Sequence, residues 1–167
     1  MKHKLELRKL TMTALMAAVI FVVTYLIRIP MPVASGGYIN IGDTMIYIAA
    51  FLLGGPGGMI AGAAGSALAD LSAGYVWYIL PTIVVKGLMG FVCGKMMRQA
   101  GFLRFLMTSI LGGAIMVVGY ASFETVLFNI NLALAAIPFN LIQWVCSVAA
   151  AAALFPALTR IEKSLGK

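Results

Sequence analysis

Six apolar segments make up most of this chain, and they restrict it to folds that a lipid bilayer supports. A helix rises ~1.5 Å per residue, so about 20 residues cross a hydrocarbon core of ~30 Å. The first, fourth, fifth and sixth segments are long enough, whereas the second is short and could be tilted, partly re-entrant or shielded by its neighbours. The segments lie at about 10–29, 40–54, 57–73, 79–98, 103–126 and 133–159.

The low charge content supports the same conclusion. Only 10% of the 167 residues are charged, whereas a soluble domain has about 25%, so a soluble enzyme is excluded. We predict an all-α membrane protein, a six-transmembrane-helix bundle that forms a single integral membrane domain over residues 1–167. Glycine, proline and polar residues mark the predicted connections, which lie at 28–37, 54–58, 72–78, 99–101 and 128–131.

The basic residues predict the orientation of the bundle. An even number of crossings brings three basic groups to one face: Lys2, Lys4, Arg8 and Lys9; Lys95, Arg98 and Arg104; and Arg160, Lys163 and Lys167. Basic residues favour the cytoplasmic side, so we predict cytoplasmic termini in a multi-pass protein of a prokaryotic cell membrane. The net charge of +7 is thus a topology signal. A nucleic-acid footprint would need a basic patch on a soluble face.

Polar side chains are concentrated in the predicted outer half of the bundle. Ionisable groups in a bilayer are costly and normally face a partner or a wet cavity. Apolar walls that carry a few polar groups suit a small organic ligand, whereas a conducting pore needs polar residues along its full depth. We therefore predict a ligand pocket open to the outside. The candidate substrate-binding residues are Tyr38, Asn40, Trp77, Thr82, Lys86, Tyr120, Glu124, Asn140, Gln143 and Trp144.

Several of these polar residues also have a structural interpretation. Asn40 and Asp43 stand at N-cap and N3 positions, where both side chains could satisfy free helix N–H groups. Asp70 and Lys86 could pair with each other instead of contacting substrate. We assign Asp43 and Asp70 as structural polar residues.

The outer aromatic and acidic residues leave similar alternatives. Glu124 could pair with Arg28 at the outer surface, and Tyr38, Trp77 and Tyr78 could form an interfacial aromatic belt. The polar residues of the sixth segment are harder to explain by packing, because two amides on one face of an apolar helix need hydrogen-bond partners.

Small residues recur four positions apart, a spacing that lets helices approach closely. Ala14 and Ala18 form such a pair beside the basic end of the first segment, where a partner protein could dock. Two further sets have the same spacing: Gly58, Gly62 and Ser66, and Gly90 and Gly94. We expect these two sets to serve internal packing.

The residues for most enzyme chemistry are missing. The single histidine, His3, lies outside the apolar segments, so no imidazole is placed to activate an intramembrane nucleophile. Cys93 and Cys146 have no metal-binding spacing, and we expect neither a metal nor a cofactor on this chain. Asp43 and Asp70 leave an intramembrane aspartyl hydrolase as a minor alternative. A stand-alone secondary transporter of a small heterocycle is the other alternative.

Four stretches, taken in order, carry a resemblance to a known family. They are Gly37-Tyr-Ile-Asn-Ile-Gly-Asp43, Leu52-Leu-Gly-Gly-Pro-Gly-Gly58, Gly65-Ser-Ala-Leu-Ala-Asp-Leu71 and Pro81-Thr-Ile-Val-Val-Lys-Gly87. With the six-span plan, they resemble the substrate-binding S components of energy-coupling factor (ECF) vitamin transporters over nearly the whole chain. The similar branch is the broad riboflavin-type one, which includes relatives for pyridoxine-like and hydroxymethylpyrimidine-like substrates.

The resemblance implies a non-enzymatic subunit that captures a vitamin at the outer face. Its implied partners are a transmembrane coupling protein and two cytoplasmic ATPases, so ATP would be used by the partner subunits. Ala14 and Ala18 match the family's Ala-x-x-x-Ala motif, which packs on the coupling protein during a toppling motion. The run from Tyr38 to Asp43 differs from that of riboflavin binders, so we rank pyridoxine-like or hydroxymethylpyrimidine-like compounds first and riboflavin next.

Overall fold

The computed structural model describes residues 2–33, 36–97 and 101–164, with side chains described from residue 6 onward. Five long helices dominate this part of the chain, and each is long and apolar enough to cross a membrane. A short 3-10 turn, Val76–Tyr78, precedes the third helix. The helices are α1 (Lys2–Leu26), α2 (Gly42–Ala73), α3 (Ile79–Met97), α4 (Phe102–Leu127) and α5 (Ile130–Ser164).

A small β-hairpin follows the first helix and adds two short strands to the predicted helical bundle. Strands β1 (Arg28–Pro30) and β2 (Tyr38–Asn40) pair antiparallel, with Ile29 opposite Ile39. Because residues 28–30 join this sheet, α1 ends at Leu26 and not at the predicted residue 29. Residues 34 and 35 of the predicted loop lie outside the described residues.

Helix α2 spans the predicted second and third segments and reverses direction at Gly54. That residue has φ 76° and ψ −174°, outside the helical region, which glycine tolerates because it lacks a Cβ. A Cβ on Gly62 would lie 3.3 Å from Ile46 Cγ2. In a straight helix these residues would be about 24 Å apart, so the two halves of α2 pack antiparallel. The turn predicted over 54–58 is thus reduced to one non-helical residue.

Glycines form the contact between α2 and α3. A Cβ on Gly62 would lie 2.9 Å from the Lys86 carbonyl oxygen, and one on Gly90 would lie 2.2 Å from the carbonyl oxygen of Gly58. Gly94 meets the backbone of Gly54 in the same way. Only glycine permits such backbone contact, so the predicted internal packing of these small residues is confirmed.

The remaining helices follow the predicted segments closely. The last helix is longer than predicted, because it begins at Ile130 inside the predicted turn. Large apolar side chains such as Leu103, Val126 and Val145 are exposed on the outer surface, as expected of helices that face lipid.

The described residues place the polar cluster and the α2 reversal at opposite ends of the bundle. Gly55, next to the reversal, lies against Lys95 of α3, whereas Asp43 and Asp70 lie at the far ends of the two halves of α2. Arg98 and Lys167 fall outside the described residues, as do the side chains of Lys2 and Lys4. The orientation relative to the membrane therefore stays a prediction.

Candidate functional site

A partly open cavity lies at the end of the bundle where the hairpin meets the helices. The space between its lining atoms is about 440 Å³, and this figure includes the part that is open to the surface. Every long helix and the hairpin contribute to its wall. The lining residues are Thr24, Met31, Gly37, Tyr38, Asn40, Ser66, Asp70, Tyr78, Thr82, Lys86, Tyr120, Glu124, Asn140 and Gln143.

A buried ion pair lies at one side of the cavity. Lys86 Nζ of α3 donates to Asp43 Oδ1 of α2, and the two side chains are 3% and 1% exposed. Gln143 Nε2 donates to the other oxygen of Asp43 at 2.9 Å, while Gln143 Oε1 accepts from the backbone N–H of Asn40 at 2.9 Å. This network joins α3, α2, α5 and β2. Lys86 therefore pairs with Asp43, and the pairing with Asp70 considered above is wrong.

The N-cap prediction for the start of α2 was wrong by one residue, because the N-cap is Ile41, which makes no side-chain capping hydrogen bond. Asn40, the residue before it, still accepts at Oδ1 from the backbone N–H of Gly42, the first residue of α2, at 2.8 Å. Asp43 instead accepts hydrogen bonds from Lys86 at one carboxylate oxygen and from Gln143 at the other. A buried charge needs such partners, which explains why this carboxylate turns away from the helix end.

Two tyrosines hold the other two carboxylates of the cavity. Tyr38 of the hairpin donates to Asp70 Oδ1 at 2.6 Å, and Tyr78 donates to Glu124 Oε1 at 3.0 Å. The pairing of Glu124 with Arg28 is thus wrong, because the Arg28 guanidinium lies 4.3 Å from the centre of the Tyr25 ring instead.

Both tyrosines therefore belong to the cavity wall and not simply to an interfacial belt. The rings of Tyr78 and Tyr120 lie 6.4 Å apart, and the hydroxyl groups of Tyr120 and Thr82 are hydrogen-bonded at 2.8 Å. Burial, with the nearby Asp70 carboxylate, raises the pKa of Tyr38 above its ordinary value. This phenol therefore stays a neutral donor at physiological pH. The wall combines aromatic surface for a planar ring with polar groups that can orient it.

Four polar atoms of the lining are buried without a hydrogen-bond partner in the part of the chain that the structure describes, and two of these are Thr24 Oγ1 and Asp70 Oδ2. The other two are Glu124 Oε2 on α4 and Asn140 Nδ2 on α5. Their side chains are 2% and 5% exposed. Buried polar atoms in folded proteins nearly always have a partner, so these two mark where a bound molecule would interact.

Eight of the ten predicted binding residues line the cavity, and two tryptophans do not. Trp77 is 77% exposed on the surface. Trp144 packs against α4, where a Cβ on Gly113 would overlap its indole ring. Trp144 follows Gln143 by one residue, about 100° around the helix, and this rotation carries it to α4.

The sequence interpretation missed several lining residues. Thr24, Met31, Gly37, Ser66 and Tyr78 were not among the candidates, and Asp70 was assigned a structural role although it lines the cavity. Gly37, Ser66 and Asp70 lie in the Gly37–Asp43 and Gly65–Leu71 stretches that carry the family resemblance. Their place in those stretches was the signal that could have identified them as lining residues. Thr24 and Met31 carried no comparable signal, because they lie in apolar surroundings before the hairpin turn.

The predicted docking pair lies elsewhere on the molecule. Ala14 and Ala18 are exposed on α1, whereas the adjacent Ala17 faces inward and its carbonyl oxygen lies 2.5 Å from the position of a Cβ on Gly65. The exposed pair is therefore not needed for contact between α1 and α2. Within the described residues, no three His, Cys, Asp or Glu side chains are grouped as a metal site would require.

Comparison with known proteins identifies the family. The family described as ECF-type riboflavin transporter, S component, matches residues 4–160. The chain belongs to this family. It is therefore a multi-pass membrane protein of vitamin uptake and not an enzyme, which removes the aspartyl hydrolase alternative. S components of this type bind small vitamin substrates and work with ECF coupling and ATPase subunits.

Two relatives of this S component show how widely the sequence is shared. A Pyrococcus woesei protein, described as an uncharacterized protein in the gap 3' region, is 41% identical over 128 residues, which cover 76% of this chain and 85% of the relative. The thiamine precursor transporter HmpT of Lactococcus lactis subsp. cremoris (strain MG1363) is 29% identical over 155 residues, which cover 93% of this chain and 90% of the relative. The family's description refers to riboflavin, whereas the description of the Lactococcus relative refers to a thiamine precursor.

Proposed function

We propose that this chain captures a small heterocyclic vitamin or vitamin precursor for an ECF-type ABC importer. The observation that supports it most directly is the partly open cavity, with its aromatic wall and its unpartnered Glu124 and Asn140 atoms. Pyridoxine-like or hydroxymethylpyrimidine-like compounds come first, and riboflavin next. The small cavity favours this ranking, and the similarity to a thiamine precursor transporter favours the pyrimidine.

The proposed contact residues are the predicted ones that line the cavity, together with Tyr78. Tyr38, Tyr78 and Tyr120 offer ring surface, and Thr82, Glu124 and Asn140 offer hydrogen-bonding groups. Lys86, Asn40 and Gln143 belong to the network around Asp43, so in this proposal they shape the site and reach the ligand only at its edge. The hairpin supplies Gly37, Tyr38 and Asn40, so ligand binding should order it over the site.

Delivery is proposed to need the partner subunits of the importer. The exposed Ala14 and Ala18 would pack on the transmembrane coupling protein while the S component topples in the membrane. Two cytoplasmic ATPases would supply the energy, and this chain would bind no cofactor itself. In this proposal α2 crosses twice by reversing at Gly54, which gives six crossings and cytoplasmic termini in the prokaryotic cell membrane.

A first experiment tests capture directly. The full chain is purified in mild detergent, and small molecules released on denaturation are identified by mass spectrometry, followed by calorimetric titration with the compound found. We expect a heterocyclic vitamin or precursor at about one molecule per chain. A protein that releases no such compound and binds none of a vitamin panel would overturn the proposal.

Variants connect the binding to the cavity. Asn140→Ala should weaken binding, whereas Asn131→Ala, on an exposed part of α5, should leave the affinity unchanged. Equal effects of the two substitutions would place the ligand elsewhere. Uptake in cells that lack the ATPase subunits would favour the stand-alone secondary transporter instead.

A further inference from the structure

Two of the four unpartnered atoms of the cavity lining, Glu124 Oε2 and Asn140 Nδ2, differ in what they require from a ligand. When the Glu124 carboxyl group is ionised, its Oε2 atom is an acceptor, so a ligand must present an N–H or O–H group to it. The Asn140 amide nitrogen is a donor, so it suits a ring nitrogen or an oxygen. Both side chains are at least nine-tenths buried, and they reach the cavity from neighbouring helices. A ligand that satisfies both therefore carries a donor and an acceptor on separate parts of its surface.

The charges of the lining restrict the ligand further. Among the described lining residues, the acidic side chains are Asp70 and Glu124 and the basic one is Lys86. The Lys86 ammonium is already engaged by Asp43, in a pair that is nearly inaccessible to solvent. Asp70 and Glu124 each accept a hydrogen bond from a tyrosine hydroxyl group, which is neutral. The cavity thus has an excess of acidic groups and no free cation among these residues.

We propose that Glu124 selects the ligand by charge, so that the site takes an unphosphorylated heterocycle and rejects its phosphate ester. This inference rests on the proposed function. A neutral or cationic ring with an amino or hydroxyl group supplies the donor that Glu124 lacks. A phosphate monoester adds a charge of about −1.5 to −2 at neutral pH near two carboxylates, in surroundings where water screens charges poorly. No lining cation is available to balance it.

Hydroxymethylpyrimidine and its phosphate ester form the first test pair, because the ring carries amino and hydroxymethyl groups beside ring nitrogens. Pyridoxine and its phosphate ester form the second. Binding of each compound to the purified full chain is measured by calorimetry. We expect the wild-type chain to bind the unphosphorylated member at least about 10-fold more tightly than the ester.

The Glu124→Gln variant tests the residue. Its amide oxygen can still accept from Tyr78, so the wall is preserved, but the negative charge is lost. Because a hydrogen bond to a charged group is lost, we expect about 10- to 100-fold weaker binding of the unphosphorylated compound and a smaller preference over the ester. Glu6→Gln is the matched control, because Glu6 is exposed on α1, and it should leave both affinities unchanged.

The possible results separate this inference from the proposed function. If the wild-type chain binds the ester as tightly as the unphosphorylated compound, charge selection is refuted while vitamin capture stands. If the Glu124→Gln variant keeps the wild-type affinity and preference, Glu124 is not the selecting residue. If the wild-type chain binds neither pair nor any other vitamin, the proposed function fails and this inference fails with it.

Discussion

Removing Lys86 should leave a carboxylate buried without its counter-ion. Asp43 is 1% exposed, and its hydrogen-bond partners are Lys86 and Gln143. The Lys86→Met substitution keeps the side-chain volume but leaves Asp43 with a single amide donor. Breaking one partner of a buried pair typically costs about 3–5 kcal/mol. For a chain of this length, about 2–4 °C in Tm accompanies each kcal/mol, so Tm should fall by about 6–20 °C.

The assay is thermal unfolding of ligand-free protein in one detergent, because bound ligand would raise Tm by itself. Lys95→Met is the matched control on the same helix, since Lys95 is exposed, and it should shift Tm by little. Adding Asp43→Asn to Lys86→Met removes the stranded charge, and the asparagine oxygen can still accept from Gln143. The double variant should therefore recover most of the lost stability. If it is as unstable as the sum of the two single variants, the ion-pair explanation is refuted.

Three further predictions concern other parts of the molecule. Gly113→Ala should displace the Trp144 ring and lower the stability by about 1–3 kcal/mol, measured by chemical denaturation; unchanged stability would mean that the indole does not pack there. Ala14→Trp should abolish uptake in cells while the purified protein keeps its ligand affinity, and Ala149→Trp on the exposed face of α5 should affect neither; lost ligand affinity in the Ala14 variant would make that face internal packing. Because burial raises the pKa of Tyr38, its contribution to stability should persist through neutral pH and disappear only above about pH 10. A difference between wild-type and Tyr38→Phe stability that vanishes near pH 8 would contradict this.

The sequence was sufficient to predict most of the helices, because the length of an apolar segment and the glycine and proline residues that end it are local properties. The prediction of a break near residues 54–58 was correct in place, since glycine and proline interrupt a helix wherever they occur. The hairpin was missed because its two strands are only three residues long. Such short strands form through pairing across a loop, and three residues are too few to show the alternating pattern that predicts a strand.

The candidate site was predicted in part, and the failures share one cause. Asn140 and Gln143 were identified from their spacing on one helix face, a local property that the fold retains. The partner of Lys86 could not be identified in this way, because Asp43 reaches it only after α2 reverses at Gly54. Trp144 was misplaced because the space that receives its ring is opened by a glycine on a different helix. Residue types and helix faces were thus predictable, but pairings between helices were not.

The same contacts indicate which part of the cavity wall can move at least cost. Helices α2 and α3 meet backbone to backbone at Gly58 and Gly90, so separating them would leave gaps that no side chain can fill. Side-chain hydrogen bonds hold the hairpin to the helices at the cavity: Tyr38 donates to Asp70, and the backbone N–H of Asn40 donates to Gln143 Oε1. Each such bond contributes only about 0.5–1.5 kcal/mol net, or somewhat more where a charged group takes part. Opening at the hairpin therefore costs less than opening between these two helices, and it exposes Asp70 and the neighbouring wall while the glycine contact stays intact.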